Sequence, residues 1–177
     1  MTGLTASDPV RIGFFGKLPS RGDFVRVGLS RALASAWDGW LQGVIPKSQE
    51  HAAVLRNAPA WRFSVGAGLC GPHAACGVLL PSADRVGRIF PLLIAAESAT
   101  ASDAFLDAAE QVGFEAIRQA MSPELLARQL MDAPRPLPAF DASCAARWWR
   151  RSGAGSVSEL IGDALPDAAT FLRMLSA

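Results

Sequence analysis

Tyrosine is absent from the 177 residues, and histidine and lysine occur only twice each, against fifteen arginines. Histidine is the side chain that most often moves protons near neutral pH, so the chain has few candidates for general acid–base catalysis. Its three cysteines, Cys70, Cys76 and Cys144, are an odd number at scattered positions, unlike the disulfide frameworks of small secreted domains. We therefore expect a reducing, cytoplasmic location.

The first residues, MTGLTASDPVR, do not have the basic start and apolar stretch typical of a secretion signal, so we expect no export, and no apolar run is long. Residues 90–96 are apolar, but a membrane-spanning helix needs roughly 20 such residues. Only 19% of the residues are charged and the formal net charge is +1, which excludes a strongly basic nucleic-acid binder. These features predict one domain spanning residues 1–177, with residues 1–9 flexible, that neither enters a membrane nor binds nucleic acid.

The spacing of apolar residues predicts the secondary structure. An apolar run at residues 10–15 indicates a buried strand, and a spacing of three and four from Leu29 indicates an amphipathic helix that ends before Pro46. The order of elements predicts an α+β fold, in which a mainly antiparallel sheet is flanked by helices. The other expected elements are a meander of strands near 61–69, 74–80 and 89–96, a strand near 143–150 before a glycine-rich loop, and helices over 103–120, after Ser122-Pro123 and after Pro166.

The stretch GKLPSRGDF, residues 16–24, follows the first predicted strand and looks in part like a phosphate-binding loop. Such a loop needs a glycine five residues before its Gly-Lys pair and a hydroxyl directly after it. Arg11 and Leu18 stand at these positions, and Pro19 has no amide to donate. The parts that would bind phosphate are therefore missing.

Within the same stretch, Arg21-Gly22-Asp23 has the sequence of an adhesion ligand. Such a ligand functions only when it is part of an exported protein. Pro19 and Gly22 instead predict a shaped loop. In that loop we expect Asp23 to accept backbone hydrogen bonds or to pair with an arginine. Whether Asp23 acts on a partner or only braces the loop stays open at this point.

A second loop, PSADRVGRIFP at residues 81–91, carries a similar mixture of charge, glycine and proline. Ser82 or Asp84 can close a turn by bonding nearby backbone amides. Arg85 or Arg88 can pair with Asp84 or with the carboxylate of the first loop. Because no histidine or second acid lies in this motif, a structural turn is a better interpretation than a catalytic carboxylate.

Two further clusters are interpreted as structural. Cys70, His73 and Cys76 have side chains that bind metals, but their spacing differs from that of structural zinc sites, so we expect a hairpin turn with two core thiols. Trp148 and Trp149 are neighbours on a predicted strand and must face opposite sides of the sheet. One should lie in the core, and the other should be covered by a helix or exposed for a partner.

Three segments together closely resemble the TagF family, also called ImpM, which comprises accessory proteins of the bacterial type VI secretion system. GFFGKLPSRGDF at residues 13–24, WDGWL at 37–41 and PSADRVGRIFP at 81–91 carry the resemblance, in the family's order. It is strongest from residue 10 to residue 96. It implies a cytoplasmic, non-enzymatic protein without a cofactor, which represses the secretion apparatus after translation by contacting its forkhead-associated scaffold component. The implied fold is an α/β sandwich similar to longin-type domains.

Two hypotheses follow from the residues of the two signature loops, 16–26 and 81–90. In the first, the loops converge at one end of the sheet and form a mixed-charge surface for a protein partner, made by Lys17, Arg21, Asp23, Asp84, Arg85 and Arg88. In the second, the chain is a small hydrolase or nucleotide-binding protein that uses Lys17, Asp23 and Asp84 in a pocket with shifted pKa values. The residues expected to bind a partner or to support the loops are Lys17, Pro19, Ser20, Arg21, Gly22, Asp23, Ser82, Asp84, Arg85, Gly87 and Arg88.

Overall fold

The structure, a computed structural model, describes residues 8–45, 49–139, 145–151 and 157–176. Most of the segment expected to be flexible, 1–9, lies outside these residues. So do Cys144, the start of the strand predicted at 143–150 and the glycine-rich loop. Among the described residues, no helix has the length and apolar character that crossing a membrane requires.

The described residues form seven strands and five helices. The strands are β1 (Arg11–Gly16), β2 (Val25–Val27), β3 (Trp61–Val65), β4 (Ala75–Leu80), β5 (Leu92–Glu97), β6 (Ala146–Arg151) and β7 (Val157–Gly162). The helices are α1 (Arg31–Val44), α2 (Gln49–Arg56), α3 (Asp103–Arg118), α4 (Pro123–Met131) and α5 (Ala168–Leu175). The chain therefore has the α+β composition that the sequence predicts.

All strands belong to one antiparallel sheet, in the order β2-β1-β5-β4-β3-β6-β7. Strands β3, β4 and β5 form the predicted meander. Leu92 at the start of β5 lies opposite both Gly16 at the end of β1 and Leu80 at the end of β4. The loops that leave β1 and connect β4 to β5 therefore begin at the same end of the sheet.

One face of the sheet packs against α1, α2 and α5 through a layer rich in aromatic residues. Trp37 of α1 contacts Phe63 of β3 and Trp148 of β6, with ring centroids 4.6 and 5.7 Å apart. Phe171 of α5 joins the same layer through Trp40, at 5.4 Å. Burial of such large rings contributes much of the free energy of folding.

Two indole hydrogen bonds tie the C-terminal end of the described chain to this layer. Trp40 Nε1 donates to the carbonyl of Pro166 at 2.8 Å, and Trp61 Nε1 donates to the carbonyl of Met174 at 2.9 Å. Each indole thus has a polar partner while its ring is packed among apolar groups. Helix α5 is consequently an integral part of the core.

The other face packs against α3 and α4, which lie chiefly over β4, β5, β1 and β2. Arg62 of β3 is buried on this face and pairs with Asp107 and Glu110 of α3, at 2.7 and 2.8 Å. Trp149 is buried on this side, whereas Trp148 is buried on the opposite side. The expectation that the two tryptophans face opposite ways is confirmed. Strands β6 and β7 extend beyond the strands that α3 and α4 chiefly cover.

Helix α4 begins as its sequence predicts. Ser122 is the N-cap and its side chain accepts a hydrogen bond from the amide of Leu125 at 3.2 Å, while Pro123 occupies the first turn. The strand predicted at 89–96 begins only at Leu92, because Ile89 and Phe90 still belong to the second signature loop, where Phe90 N donates to the carbonyl of Ser82.

Strands β2 and β7 and helix α2 were not predicted. β2 has only three residues, too few for a periodic pattern. The sequence of β7, VSELIG, does not alternate strictly between apolar and polar residues, which is the pattern by which a half-buried strand is recognised. Helix α2 is short, with eight residues. Each of these elements depends on tertiary contacts more than on its own sequence pattern.

Candidate functional site

The two signature loops meet where β1 ends, and Gly16 sets the path of the first. Its φ of +134° lies in a region that side chains disfavour, and a Cβ atom there would stand 2.1 Å from the carbonyl oxygen of Pro91. Only glycine fits this close approach. The chain then turns, with the amide of Arg21 donating to the carbonyl of Leu18 at 3.0 Å.

A buried ion pair joins the two loops. Lys17 Nζ lies 3.0 Å from Asp84 Oδ2, and the side chain of Asp84 has no exposed surface. Lys17 Nζ also lies 5.2 Å from the centroid of the Phe24 ring, at a distance typical of a cation–π contact. The side chain of Lys17 is therefore buried between the two loops, where it is paired with Asp84.

The carboxylate of Asp84 receives hydrogen bonds from four donors. Besides Lys17, these are the side chain of Arg88 at 2.7 Å and the backbone amides of Val86 and Arg88, both at 3.0 Å. Burial alone would raise the pKa of Asp84, but the bonds from the Arg88 amide, the Lys17 side chain, the Arg88 side chain and the Val86 amide outweigh burial and lower it well below its usual range. Asp84 thus stays ionised as the centre of its turn.

Direct hydrogen bonds between the two loops complete the junction. Ser82 Oγ donates to the carbonyl of Lys17 at 2.7 Å, Arg88 donates to the carbonyl of Gly22 at 2.6 Å, and the amide of Arg85 donates to the carbonyl of Arg21 at 2.8 Å. The signature loops therefore form one connected unit, as the first hypothesis expects.

The first loop is also attached to the connection between α3 and α4. Ser20 Oγ donates to the carbonyl of Met121 at 2.6 Å, and Arg21 pairs with the exposed Glu124 at 3.3 Å. Pro19 is half-buried beside them. In the second loop, Gly87 has a φ of +87° with open space around it, so it completes the Asp84 turn without a close contact.

Eight residues of the two loops are exposed, including Arg26 and Gly87. The other six form what we call the rim: Arg21, Asp23, Phe24, Arg85, Val86 and Arg88. Within the described part of the chain, the side chains of Asp23 and Arg85 make no hydrogen bond or ion pair. Asp23 was expected to accept backbone hydrogen bonds or to pair with an arginine, and that expectation is wrong. Arg88 instead donates to the carboxylate of Asp84 and to the carbonyl of Gly22.

The mixed-charge surface expected from the sequence also needs correction. Lys17 and Asp84 do not belong to it, because their charges neutralise each other in the interior. Sequence reasoning overlooked two apolar members of the rim, Phe24 and Val86, which are 44% and 70% exposed. The sequence contained a signal for them, since each of these two apolar residues directly follows a charged residue in a loop.

Phe24 is held in place although it is exposed. Its ring stacks on Phe15 with centroids 5.8 Å apart and meets the edge of Phe90 at 4.7 Å. Both partners are buried members of the aromatic layer. The rim therefore rests on the core and has a fixed backbone on either side of Asp23.

The cysteine and histidine cluster has the structural role that was predicted for it. Cys70 and Cys76 are buried free thiols, and burial raises the pKa of each to about 12. His73 lies at the turn and contacts Asp8 at 3.4 Å. Across the described ranges, no group of three or more histidine, cysteine, aspartate or glutamate side chains is arranged to hold a metal ion.

Both the sequence and the fold of this chain are similar to those of known proteins. The sequence model of the TagF N-terminal domain, described as type VI secretion system-associated, matches residues 13–146. The structure is similar to the crystal structure of PA0076 from Pseudomonas aeruginosa PAO1, with a TM-score of 0.81 and 28% sequence identity over 93% of each chain. No curated protein matches significantly. The family match covers most of the chain and both signature loops, so this protein belongs to the TagF N-terminal domain family and is associated with the type VI secretion system.

Proposed function

We propose that this protein is a non-enzymatic, cytoplasmic regulator that represses the type VI secretion apparatus after translation by binding its forkhead-associated scaffold component. Family membership supports the association with the secretion system. The rim supports the binding role, because it is an exposed surface whose backbone is fixed by bonds to the interior. Loops held rigidly at the end of a sheet are a common place for binding residues.

The observation that carries the proposal is the state of Asp23. The carbonyl of Gly22 on one side of it is bonded to Arg88, and Phe24 on the other side is packed against two buried rings. Between these two anchors, the carboxylate of Asp23 is exposed and has no partner among the described residues. Such a preorganised charge binds a cationic group with little further loss of conformational entropy.

Arg85 and the apolar rim residues give the surface a second kind of contact. The guanidinium group of Arg85 is exposed and unbonded within the described residues, and Val86 follows it directly. Arginine and aromatic residues are enriched at the centres of protein interfaces. The partner surface should therefore present an acidic group for Arg85, a basic group for Asp23 and apolar side chains between them.

The arrangement does not support the alternative of a hydrolase or nucleotide-binding protein. A phosphate-binding lysine must be free to reach the ligand. Lys17 is instead buried against Asp84, and Asp23 lies exposed outside that pair. The lowered pKa of Asp84 also suits it poorly to proton transfer near neutral pH.

Affinity purification of the tagged protein from bacteria that express the secretion components tests the proposal. We expect the wild-type protein to recover the forkhead-associated scaffold, and Arg85→Glu and Asp23→Arg each to reduce recovery about tenfold or more, since each reversal turns attraction into repulsion at the contact. Circular dichroism of the purified variants should show unchanged folding.

Arg31→Glu is a matched control. Arg31 is also an exposed arginine, but it begins α1, next to the Ser30 that bonds Glu97 at the opposite end of the sheet. This variant should recover the scaffold as the wild type does. Full recovery by both folded rim variants would show that the rim is not the contact surface, and failure of the wild type to recover the scaffold would rule out that partner.

A further inference from the structure

The connection between α4 and β6 contains a proline-rich segment, PRPLP, at residues 134–138. Proline fixes its own φ at about −65°, and it restricts the residue before it to extended or polyproline-II conformations. Every residue of this segment is a proline or directly precedes one, so the whole segment favours a polyproline-II helix. Residues 134–137 accordingly lie outside the helices, strands and turns of the described chain.

Hydrogen bonds hold one side of this segment against the protein. The carbonyl of Leu137 accepts from the amide of Thr100 at 2.8 Å, and the amide of Ala139 donates to the carbonyl of Ser98 at 2.9 Å. Ser98 and Thr100 follow the end of β5 that is opposite to the end where the signature loops lie. The segment is therefore fixed in place, on a surface separate from the rim.

The burial of the segment agrees with the three residues per turn of a polyproline-II helix. Pro136 is buried and marks the side that faces the protein. Pro134 and Leu137 are three residues apart, so they share another side of the helix, and both are exposed. Arg135 is exposed on the remaining side. An apolar side and a side with a cation thus face outward next to each other.

These outward groups have no counterpart within the described part of the chain. Leu137 is 71% exposed, and Met131, three residues before the segment, is 77% exposed; they are the most exposed large apolar side chains among the described residues. The side chain of Arg135 makes no hydrogen bond or ion pair there. Single exposed apolar residues are ordinary. Here, however, an exposed apolar side chain and a free cation lie together on a rigid backbone.

We propose that residues 134–138 are a preformed ligand for a folded partner protein whose groove is lined by aromatic side chains and carries a carboxylate beside them. Such grooves recognise polyproline-II segments, because the rigid helix loses little conformational entropy on binding. Pro134 and Leu137 pack on the aromatic rings, and Arg135 pairs with the carboxylate. This inference is independent of the proposed role of the rim, so either proposal can fail without the other.

Two other occupants fit the segment less well. A strand of another protein cannot pair along it, because three of its five residues are prolines and have no amide to donate. A second copy of this chain offers no suitable groove on its described surface, where the exposed aromatic residues are Phe24 on the rim and Phe114 on α3. These two rings make no contact with each other.

Photo-crosslinking in bacteria that express the secretion components tests the proposal on the whole chain. The photoreactive amino acid p-benzoylphenylalanine, placed at position 131, lies beside the segment and leaves its sequence intact. We expect a cross-link to a folded partner, which mass spectrometry should map to a groove with aromatic walls and an acidic residue.

Peptide competition tests whether the segment itself is recognised. A peptide with the sequence of residues 132–139, acetylated and amidated at its ends, should lower the yield of the cross-link about tenfold at millimolar concentration. The same peptide with alanine at its three prolines should leave the yield unchanged. No cross-link, an attachment site without aromatic neighbours, attachment to a second copy of this chain, or equal competition by the two peptides would overturn the proposal.

Variants of the cross-linking protein sharpen the experiment. Arg135→Glu and Leu137→Asp should each lower the yield about tenfold or more, since one reverses the charge and the other removes the apolar contact. Arg56→Glu on α2 and Ile161→Asp on β7 are matched controls, because both residues are exposed and lie on other elements of the fold. Circular dichroism should show that all four variants fold. Unchanged yields in the first pair, or equal losses in the controls, would show that the segment is not the contact.

Discussion

In the signature loops the carboxylate of Asp84 is buried and receives bonds from four donors, whereas in β7 the carboxylate of Glu159 lies at the surface and pairs with one arginine. Removing a carboxylate from water costs much free energy unless hydrogen bonds within the protein replace those it made to water. A buried carboxylate such as Asp84 therefore needs several donors, whereas an exposed one such as Glu159 does not. Asp84 therefore fixes the conformation of both loops around it. Glu159 imposes no such order on its strand.

The two regions consequently differ in how firmly their conformation is fixed. The rim offers side chains on a backbone that is already fixed, so a partner there must match a given shape and charge pattern. In β7, by contrast, the outer edge has no partner strand among the described residues, so its backbone is held from one side only.

The strongest test of this comparison removes the charge of Asp84. Asp84→Asn leaves Lys17 buried without its counter-ion, and we expect a loss of about 3–5 kcal/mol in the free energy of unfolding, measured by urea denaturation. Asp23→Asn in the same loop pair is the control and should change stability by no more than about 0.5 kcal/mol, because Asp23 is exposed and unpaired. Similar effects of the two substitutions would contradict the distinction between core and rim.

Acidification should weaken the loop junction more gradually. The pKa of Asp84 is lowered by folding, so the unfolded chain takes up a proton at a higher pH than the folded protein does. Its contribution is therefore complete above the ordinary aspartate pKa of 3.8 and declines as the pH falls below it, by up to about 1.4 kcal/mol per pH unit.

Urea titrations from about pH 5 to about pH 2 measure this decline. The same titrations of Asp84→Asn should show a shallower dependence, since the other carboxylates titrate in both proteins. Parallel curves would mean that Asp84 does not have a lowered pKa in the folded state.

The smallest effect is expected at the open edge. Ile161→Ser removes an apolar side chain that is already 65% exposed, so the free energy of unfolding should change by no more than about 0.5 kcal/mol. Ile94→Ala on the interior strand β5, where the side chain is fully buried, should cost about 2–5 kcal/mol in the same denaturation experiment. A large loss in Ile161→Ser would mean that β7 is better covered than its exposure indicates.

Sequence reasoning succeeds for features that are encoded locally. The apolar runs locate the meander, the Ser122-Pro123 pair locates the start of α4, and glycine and proline mark both signature loops. The adjacency of Trp148 and Trp149 is enough to predict that they face opposite sides of the sheet. Each of these inferences needs only the periodicity of one element.

Sequence-based prediction fails where the burial or bonding of a side chain depends on residues far apart in the chain. Lys17 and Asp84 are 67 positions apart, and nothing in either loop alone indicates that these charged residues are buried together. Charged residues are ordinarily exposed, so the general expectation placed them on the surface. The absence of bonds at Asp23 is equally invisible in the sequence, because it depends on where the folded chain places the arginines: Arg88 bonds Asp84 and the carbonyl of Gly22, and Arg21 pairs with Glu124.

The indole bonds of Trp40 and Trp61 also bear on the order in which the protein folds. They join residues 126 and 113 positions apart, and the partners are in the last twelve residues of the chain. During synthesis, the aromatic layer under α1 stays incomplete until those residues have left the ribosome, although β1 to β5 are made much earlier. Long-range closure of this kind makes folding slow and leaves apolar surface open to chaperones in the interval.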